Sequence, residues 1–262
     1  MAKSKEAKSY EYIRFEAKAS VAHLTLNHPP YNVLTVPLMN ELAEAIESLD
    51  GRTDIKCILL DSAQRMFSAG ISLEDSKSGR IFQTLDAFTR VFQASSELAK
   101  PLVVVVKGAA IGAGSELVAF GDVVIATPAA RFAQPEVRMG CFPPFAAIML
   151  PQVIGPKRAY ELILTGEAMT AEEARSLGFV NRVVEEKDLE AAVNELLARI
   201  AQFSSPVLEM AKRVILTTSG LPMAQAIRKS QDIYLNELMS LEDPKEGLQA
   251  VIEKRKPVWR NR

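Results

Sequence analysis

Histidine and cysteine are nearly missing from this 262-residue chain, which holds only His23, His28, Cys57 and Cys141. The histidines stand close together near the N-terminus with no cysteine beside them. A His–Cys metal cluster is therefore nearly excluded, and a Ser–His triad is poorly supported. Cys57 falls in an apolar strand and reads as core filler. Cys141 reads as part of a loop or pocket wall, with a nucleophilic role as the weaker alternative. A disulfide is not expected. Net charge is −1, so no basic field invites nucleic acid or an anionic membrane. No apolar run approaches the length of a membrane span, and Lys107 interrupts the best candidate. Ala2-Lys3-Ser4-Lys5-Glu6 carries both signs of charge and no apolar signal core, which makes the cytoplasm the default location. Chemistry must then rest on carboxylates, backbone groups, or Lys and Tyr, with no metal and no cofactor.

What is present is an ordinary globular composition, 48% hydrophobic and 24% charged. Tyr12–Glu16 and Val21–Leu26 alternate as two strands of a hairpin, with His23 facing outward. After the loop His28-Pro29-Pro30-Tyr31-Asn32, Thr35 can cap a helix striped by Leu38, Leu42, Ile46 and Leu49. Cys57–Asp61 reads as a buried strand, and Leu85, Phe88, Phe92 and Leu98 as one face of a long helix. Thr170-Ala171-Glu172-Glu173 is a capping box, and Phe179–Val184 reads as a strand. From Asp188 the pattern is helical, over roughly 188–202, 206–218, 222–240 and 244–254. Alternating strands and helices imply an α/β fold with a mainly parallel sheet. The expected division is a core over 1–187 and a helical region over 188–262. The tail stripes Leu208, Ala211, Ile215 and Ile227, Ile233, Tyr234, Leu238 need partners for their faces.

The chain is organised around Pro101–Pro144. An apolar run, Leu102–Val106, enters the small-residue turn Gly108-Ala109-Ala110-Ile111-Gly112-Ala113-Gly114, and Ser115 and Glu116 open a helix. A second apolar run leads to Phe132-Ala133-Gln134-Pro135-Glu136, and the stretch closes on Gly140-Cys141-Phe142-Pro143-Pro144. An earlier turn, Phe67-Ser68-Ala69-Gly70-Ile71-Ser72, has the same character. Gly112-Ala113-Gly114 begins like a dinucleotide fingerprint, but Leu117 stands at the third glycine, and no P-loop exists. Ile71 and Ala113 each follow a glycine in such a turn. Two N–H groups presented this way suit the polarisation of one carbonyl oxygen, and paired glutamates suit proton transfer to the enolate formed there. The bland reading stays open at this point: Glu116 as a first-turn helix residue complementing the dipole, Glu136 as an exposed loop residue.

These motifs resemble the crotonase (enoyl-CoA hydratase/isomerase) superfamily. The matching residues are Phe67–Ile71, Gly108–Leu117, Phe132–Glu136, Gly140, Thr165-Gly166 before Thr170–Ala174, and Leu177–Asn181. The likeness covers about residues 12–262. It implies a ββα spiral core with a C-terminal helical trimerisation region, hence a homotrimer or homohexamer. It also implies an acyl-CoA thioester as substrate. By the same resemblance, the N–H groups of Ile71 and Ala113 form an oxyanion hole, and Glu116 and Glu136 are the catalytic pair. Ala69, Gly70, Ser72, Gly112, Gly114 and Pro144 line the substrate. CoA would pass between the Tyr31–Leu34 loop and the turn at Ile71. Three positions depart from the family pattern: Ala113 for a glycine, Ser72 for an aspartate, and Pro144 for a glycine. Within the superfamily the loop Gly140–Pro144 and the tail around Tyr234–Met239 look most like enzymes that hydrate a cyclic dienoyl-CoA. A general enoyl-CoA hydratase, an isomerase and a non-catalytic acyl-CoA-binding protein remain as alternatives.

Overall fold

Strand β4 (Leu102–Val106) shows why the sheet lies where it does. All five residues are buried. Leu102, Val104 and Val106 point into one apolar cluster, while Val103 and Val105 point into a second. A strand with an uninterrupted apolar run must be covered on both faces. The computed structural model describes residues 9–75 and 79–262. The main sheet has six strands. β1 (Ile13–Lys18) pairs antiparallel with β2 (Val21–Leu26), and then β3 (Cys57–Ser62), β4, β6 (Val123–Ala126) and β9 (Arg182–Val183) follow in parallel. The expected hairpin and mainly parallel sheet are both found.

A second, three-stranded sheet was not anticipated. It joins β5 (Ala109–Ile111) in parallel to β7 (Arg131–Ala133), and β7 antiparallel to β8 (Ala168–Thr170). The turn read as a continuous small-residue loop therefore contains a strand.

The larger cluster lies under α1 (Val36–Glu47) and α2 (Ile81–Leu98), together with α3 (Ala113–Ala119), α4 (Ala146–Val153), α5 (Pro156–Thr165) and α6 (Ala171–Ser176). Thr35 caps α1, accepting from the Leu38 N–H, and Thr170 and Glu173 form the capping box of α6. On the other face of the sheet, Leu189, Val193 and Leu197 of α7 (Glu186–Ala201) pack on Val21, Cys57, Leu59, Val103, Val105 and Ile125. Cys57 is thus core filler, and burial pushes its thiol up to about 11. Cys141 is exposed.

Helix α8 (Ser205–Thr218) is tied to the sheet by buried charge. Lys212 Nζ donates to Lys100 O at 2.9 Å and pairs with Asp122 Oδ2 at 2.8 Å. Lys100 Nζ in turn meets Glu209 at 2.5 Å. The segment after Ile252 folds back: Asp243 accepts from the Arg260 and Asn261 N–H groups, and Trp259 donates to Gln202 O at 2.7 Å. The Trp259 ring packs over Gly247 of the last helix.

Two expectations need correction. The strand read over 179–184 shrinks to Arg182–Val183, because the Phe179 and Val180 N–H groups both return to Ala174 O to close α6. The helix read over 222–240 is three pieces: α9 (Met223–Asp232), a π-helical turn over Ile233–Glu237 and a 3-10 turn over Leu238–Ser240. The last helix is α10 (Asp243–Ile252). Of the tail stripes, Ile233 is buried within the chain, whereas Ile215 is 70% exposed and Ile227 and Tyr234 are also exposed. Among the described residues no helix is long and apolar enough to cross a membrane.

Candidate active site

The site begins with a bridge between two loops. After β3 the chain runs through Phe67–Ser72, and Ser68 pairs with Ala110 of β5 in a short parallel bridge. The Ile111 N–H donates to Ser68 O at 3.0 Å. Gly114 is packed against Ser68, so closely that a Cβ there would lie 2.7 Å from Ser68 Cβ. Gly70 faces β5 in the same way: its Cβ would lie 2.8 Å from Ile111 O and 3.5 Å from Ala113 N. The two small-residue turns are therefore in contact, and glycine at 70 and 114 permits the approach.

A third loop fixes the first. Asn32 is fully buried; its Nδ2 donates to Ser62 Oγ at 2.8 Å and Phe67 O at 3.0 Å, and its Oδ1 accepts from the His28 N–H. Ser68 Oγ donates to Asn32 O, and the Ala69 N–H donates to Tyr31 O. Leu34 and Ile71 form a parallel bridge that uses Gly70 O and the Ser72 N–H. In that pairing Ile71 directs its own N–H to the opposite side of the strand. Neither the Ile71 nor the Ala113 N–H meets a backbone acceptor among the described residues. Ala69 is exposed, Gly70 is buried, and Ile71 and Ser72 are half-buried. The Asp75 N–H donates to Ser72 Oγ, closing the turn after Ile71.

The two glutamates come to this place from different elements. Glu116 is in the first turn of α3, 2% exposed. Glu136 lies in a 3-10 turn, Pro135–Met139, that follows β7. Gly112 stands between them with φ +53°, and a Cβ there would lie 2.5 Å from Glu136 Oε1. Only glycine leaves room for that carboxylate and accepts that backbone. Glu116 does not serve the exposed dipole role. Its Oε1 accepts from the Phe145 N–H at 3.0 Å and the Ala146 N–H at 2.8 Å, the free donors at the start of α4. Nor is Glu136 an exposed loop residue: it is half-buried, and its Oε2 is buried without a partner.

Burial dominates the electrostatics. It pushes the Glu116 carboxyl up to about 7; the Ala146 N–H opposes the rise, the charge of Glu136 adds to it, and the Phe145 N–H opposes it again. Burial also raises Glu136, opposed by its own backbone N–H. Two neighbouring carboxyls pushed upward, beside N–H donors with no backbone acceptor, are equipped for proton transfer next to a polarised carbonyl. Among the described residues no group of three or more His, Cys, Asp or Glu side chains is placed to hold a metal ion.

Comparison with known proteins gives the family and the fold. Residues 16–262 match the family model described as enoyl-CoA hydratase/isomerase. The chain belongs to that family. It is a crotonase-type enzyme, and the substrate that goes with the family is an acyl-CoA. A probable enoyl-CoA hydratase of Rhizobium meliloti (strain 1021) is 33% identical over 97% of the chain and all of that protein. A cyclohexa-1,5-dienecarbonyl-CoA hydratase of Thauera aromatica is 29% identical over 98% of the chain and 99% of that protein. Among solved structures, an enoyl-CoA hydratase of Mycobacterium smegmatis superposes with a TM-score of 0.90 at 28% identity, over 95% of the chain and 99% of that one. The crotonase-type fold expected from the sequence is therefore the fold found.

Within this crotonase-type site, sequence reasoning missed three contributors. The α4 N–H groups that hold Glu116 carry no sequence signal, because any non-proline residue supplies one. Asn32 was read only as part of a loop; its signal was a polar residue between a Pro-Pro turn and an apolar stripe. The aromatic side chains around Phe145 were read as core alone. Pro144, expected to line the substrate, directly precedes the two N–H donors and is half-buried. Its fixed φ stiffens the approach to α4.

Proposed function

We propose that the protein hydrates a conjugated acyl-CoA thioester, with cyclohexa-1,5-diene-1-carbonyl-CoA as substrate and 6-hydroxycyclohex-1-ene-1-carbonyl-CoA as product, a step in anaerobic breakdown of benzoyl-CoA. The observation that carries the hydratase reading is the meeting of Glu116 and Glu136 across Gly112, beside the Ile71 and Ala113 turns. The ring substrate is supported by the loop and tail likeness and by the name of the Thauera relative.

The thioester oxygen lies against the Ile71 and Ala113 N–H groups, which hold the charge it gains. Glu116 takes a proton from water as the water oxygen bonds to ring carbon C2, β to the thioester. The electrons of C1=C2 move onto the thioester oxygen, giving a dienolate. Glu136 then gives its proton to C5, the far end of the conjugated system, and the double bond settles between C1 and C6. Glu116 has gained one proton and Glu136 has lost one, so returning it through solvent resets the pair. The reaction starts from the form with the proton on Glu136. The charge of Glu136, which adds to the rise that burial causes at Glu116, is then absent, the two α4 N–H groups oppose what burial leaves, and Glu116 is ionised in the alkaline range. No cofactor takes part.

The exposed apolar side chains of α8 and α9 support assembly into a trimer or hexamer, and the location proposed is the cytoplasm. Purified protein incubated with the cyclic dienoyl-CoA should lose diene absorbance and yield a product heavier by one water. Absence of turnover with any unsaturated acyl-CoA refutes the hydratase reading. A linear enoyl-CoA is the second substrate reading, favoured by the Rhizobium relative's name. Crotonyl-CoA assayed in parallel decides between them.

A further inference from the structure

Glu116 is held at both ends of a closed circuit of contacts that runs through three aromatic side chains. Its carboxylate accepts from the N–H of Phe145. The Phe145 ring packs on Phe92 of α2, centroids 4.4 Å apart, and on Phe88 at 5.1 Å. Phe92 packs in turn on Phe120, 4.6 Å away. Phe120 caps the C-terminus of α3, four residues beyond Glu116 and so on the same side of that helix. The circuit runs from Glu116 to the start of α4, across the ring of Phe145 to Phe92, back to Phe120 and along α3 to Glu116. Among the described residues, Phe92 is the one ring in ring contact with both Phe120 at the end of α3 and Phe145 at the start of α4.

We propose that Phe92 is a positioning residue of the reaction: by joining Phe120 to Phe145 it sets the distance between α3 and the N–H donors of α4, and so sets the proton affinity of Glu116. The physical reason is the balance at that carboxyl. Burial raises it, and the two N–H donors are what oppose the rise. Those donors are backbone groups at a helix start, so only the placement of the helix can weaken or strengthen them. Pro143 and Pro144 restrict the chain on one side, and the Phe145 ring fixes it on the other. Glu136 is the charged group whose field acts on Glu116. Helix α4 has no charged residue, and α2 meets this circuit through aromatic rings.

Replacing the ring at position 92 by a smaller side chain should let the start of α4 drift from α3 and lengthen both hydrogen bonds to Glu116 Oε1. The effect on Glu116 is upward, because the opposing contribution weakens while burial remains. The part of the inference that concerns catalysis rests on Glu116 being the proton acceptor proposed above. The test therefore reads the carboxyl directly as well as the rate. Protein labelled with carbon-13 at the glutamate carboxyls is titrated by NMR, with the Glu116 signal assigned by its loss in Glu116→Gln. In Phe92→Leu the Glu116 midpoint should rise by about 0.5–1 pH unit. In Phe92→Met, which keeps the reach of the side chain, it should rise by less. The pH at which kcat is half-maximal should rise in parallel, with KM unchanged and kcat recovered at alkaline pH. A merely structural role lowers thermal stability and moves neither midpoint. If the Glu116 midpoint of folded Phe92→Leu equals that of the unmodified protein, the inference is overturned. If the midpoint moves and the kcat profile does not, the inference holds and the assignment of Glu116 as acceptor fails. Should Phe92→Leu not fold, Phe120→Leu, at a half-exposed position, cuts the same circuit and must show the same rise.

Discussion

Glu116→Gln is the substitution with the sharpest expected signature, because it changes two observables in opposite directions. Glutamine has the shape of the glutamate, and its carbonyl oxygen can still accept from the Phe145 and Ala146 N–H groups. What disappears is the titration. The carboxyl moves from 4.5 when unfolded to about 7 when folded, with burial as the first cause. That interval of about 2.5 units, at 1.36 kcal/mol per unit, is about 3 kcal/mol. Because the folded value is raised, the native state holds the proton more tightly than the unfolded chain. The associated stability is fully present below pH 4.5 and is lost as pH rises to 7. Above pH 7 the unmodified protein thus carries a buried charge that the variant lacks. The variant should gain on it progressively from pH 4.5 to 7, by up to about 3 kcal/mol at pH 8. At about 2–4 °C per kcal/mol, thermal melts at pH 4.5, 6 and 8 resolve such a gain. Meanwhile kcat should fall by about 10²–10⁴-fold, the range for losing general acid–base catalysis. A stability difference that does not change between pH 4.5 and 8 would refute the raised carboxyl, and near-full kcat would refute its proton-transfer role.

The other expectations are more direct. Glu136→Gln should also lower kcat by about 10²–10⁴-fold, with thioester affinity by calorimetry little changed because the Ile71 and Ala113 donors remain. Gly112→Ala places a Cβ against Glu136 Oε1 on a backbone with φ +53°; it should cost about 1–3 kcal/mol in denaturant unfolding and lower kcat by about 10²-fold through displacement of Glu136. Lys212→Met removes the partner of Asp122 at 2.8 Å; because Asp122 is exposed and still accepts from the Leu102 N–H, it should destabilise by about 1 kcal/mol while kcat stays unchanged, and a kcat loss would mean α8 shapes the site.

How much of this was legible beforehand depended on whether side chain or backbone carried the message. The apolar run Leu102–Val106 and the capping box at Thr170 and Glu173 are side-chain patterns, and both reappear in the structure as a strand buried on both faces and a capped helix. Phe179 and Val180 carry the pattern of a strand, yet their N–H groups are taken by Ala174 O, a backbone choice that composition does not encode. The π-helical turn at Ile233 follows no Pro or Gly. At the site, Glu116, Glu136 and the two turns were singled out by residue type together with the family resemblance, and the structure brings them together. The N–H pair that holds Glu116 was not. The circuit through Phe92 was invisible for a different reason: positions 92, 120 and 145 are far apart in the chain, and apolar spacing identifies them only as core.

The two glutamates are held differently, and that difference bears on which of them gives the proton and which takes it. Glu116 Oε1 is fixed by two donors that offset part of the rise burial causes; Glu136 Oε2 is buried with no donor to offset it. The division of roles can be read in the reverse direction without relying on overall turnover. Starting from the hydroxy-enoyl thioester, removal of a proton from C3, γ to the thioester, regenerates the dienolate, and this step needs Glu136 alone. Expulsion of the hydroxyl from C6 needs the proton carried by Glu116. In heavy water, Glu116→Gln should therefore incorporate deuterium at C3 of the hydroxy-enoyl thioester while dehydrating it about 10²–10⁴-fold more slowly than the unmodified protein. Glu136→Gln should lose both reactions. Mass spectrometry of the recovered thioester separates the cases. Deuterium uptake by Glu136→Gln and none by Glu116→Gln would reverse the roles while leaving the pair intact, because the carbon acid would then face the residue on α3 rather than the one on the 3-10 turn.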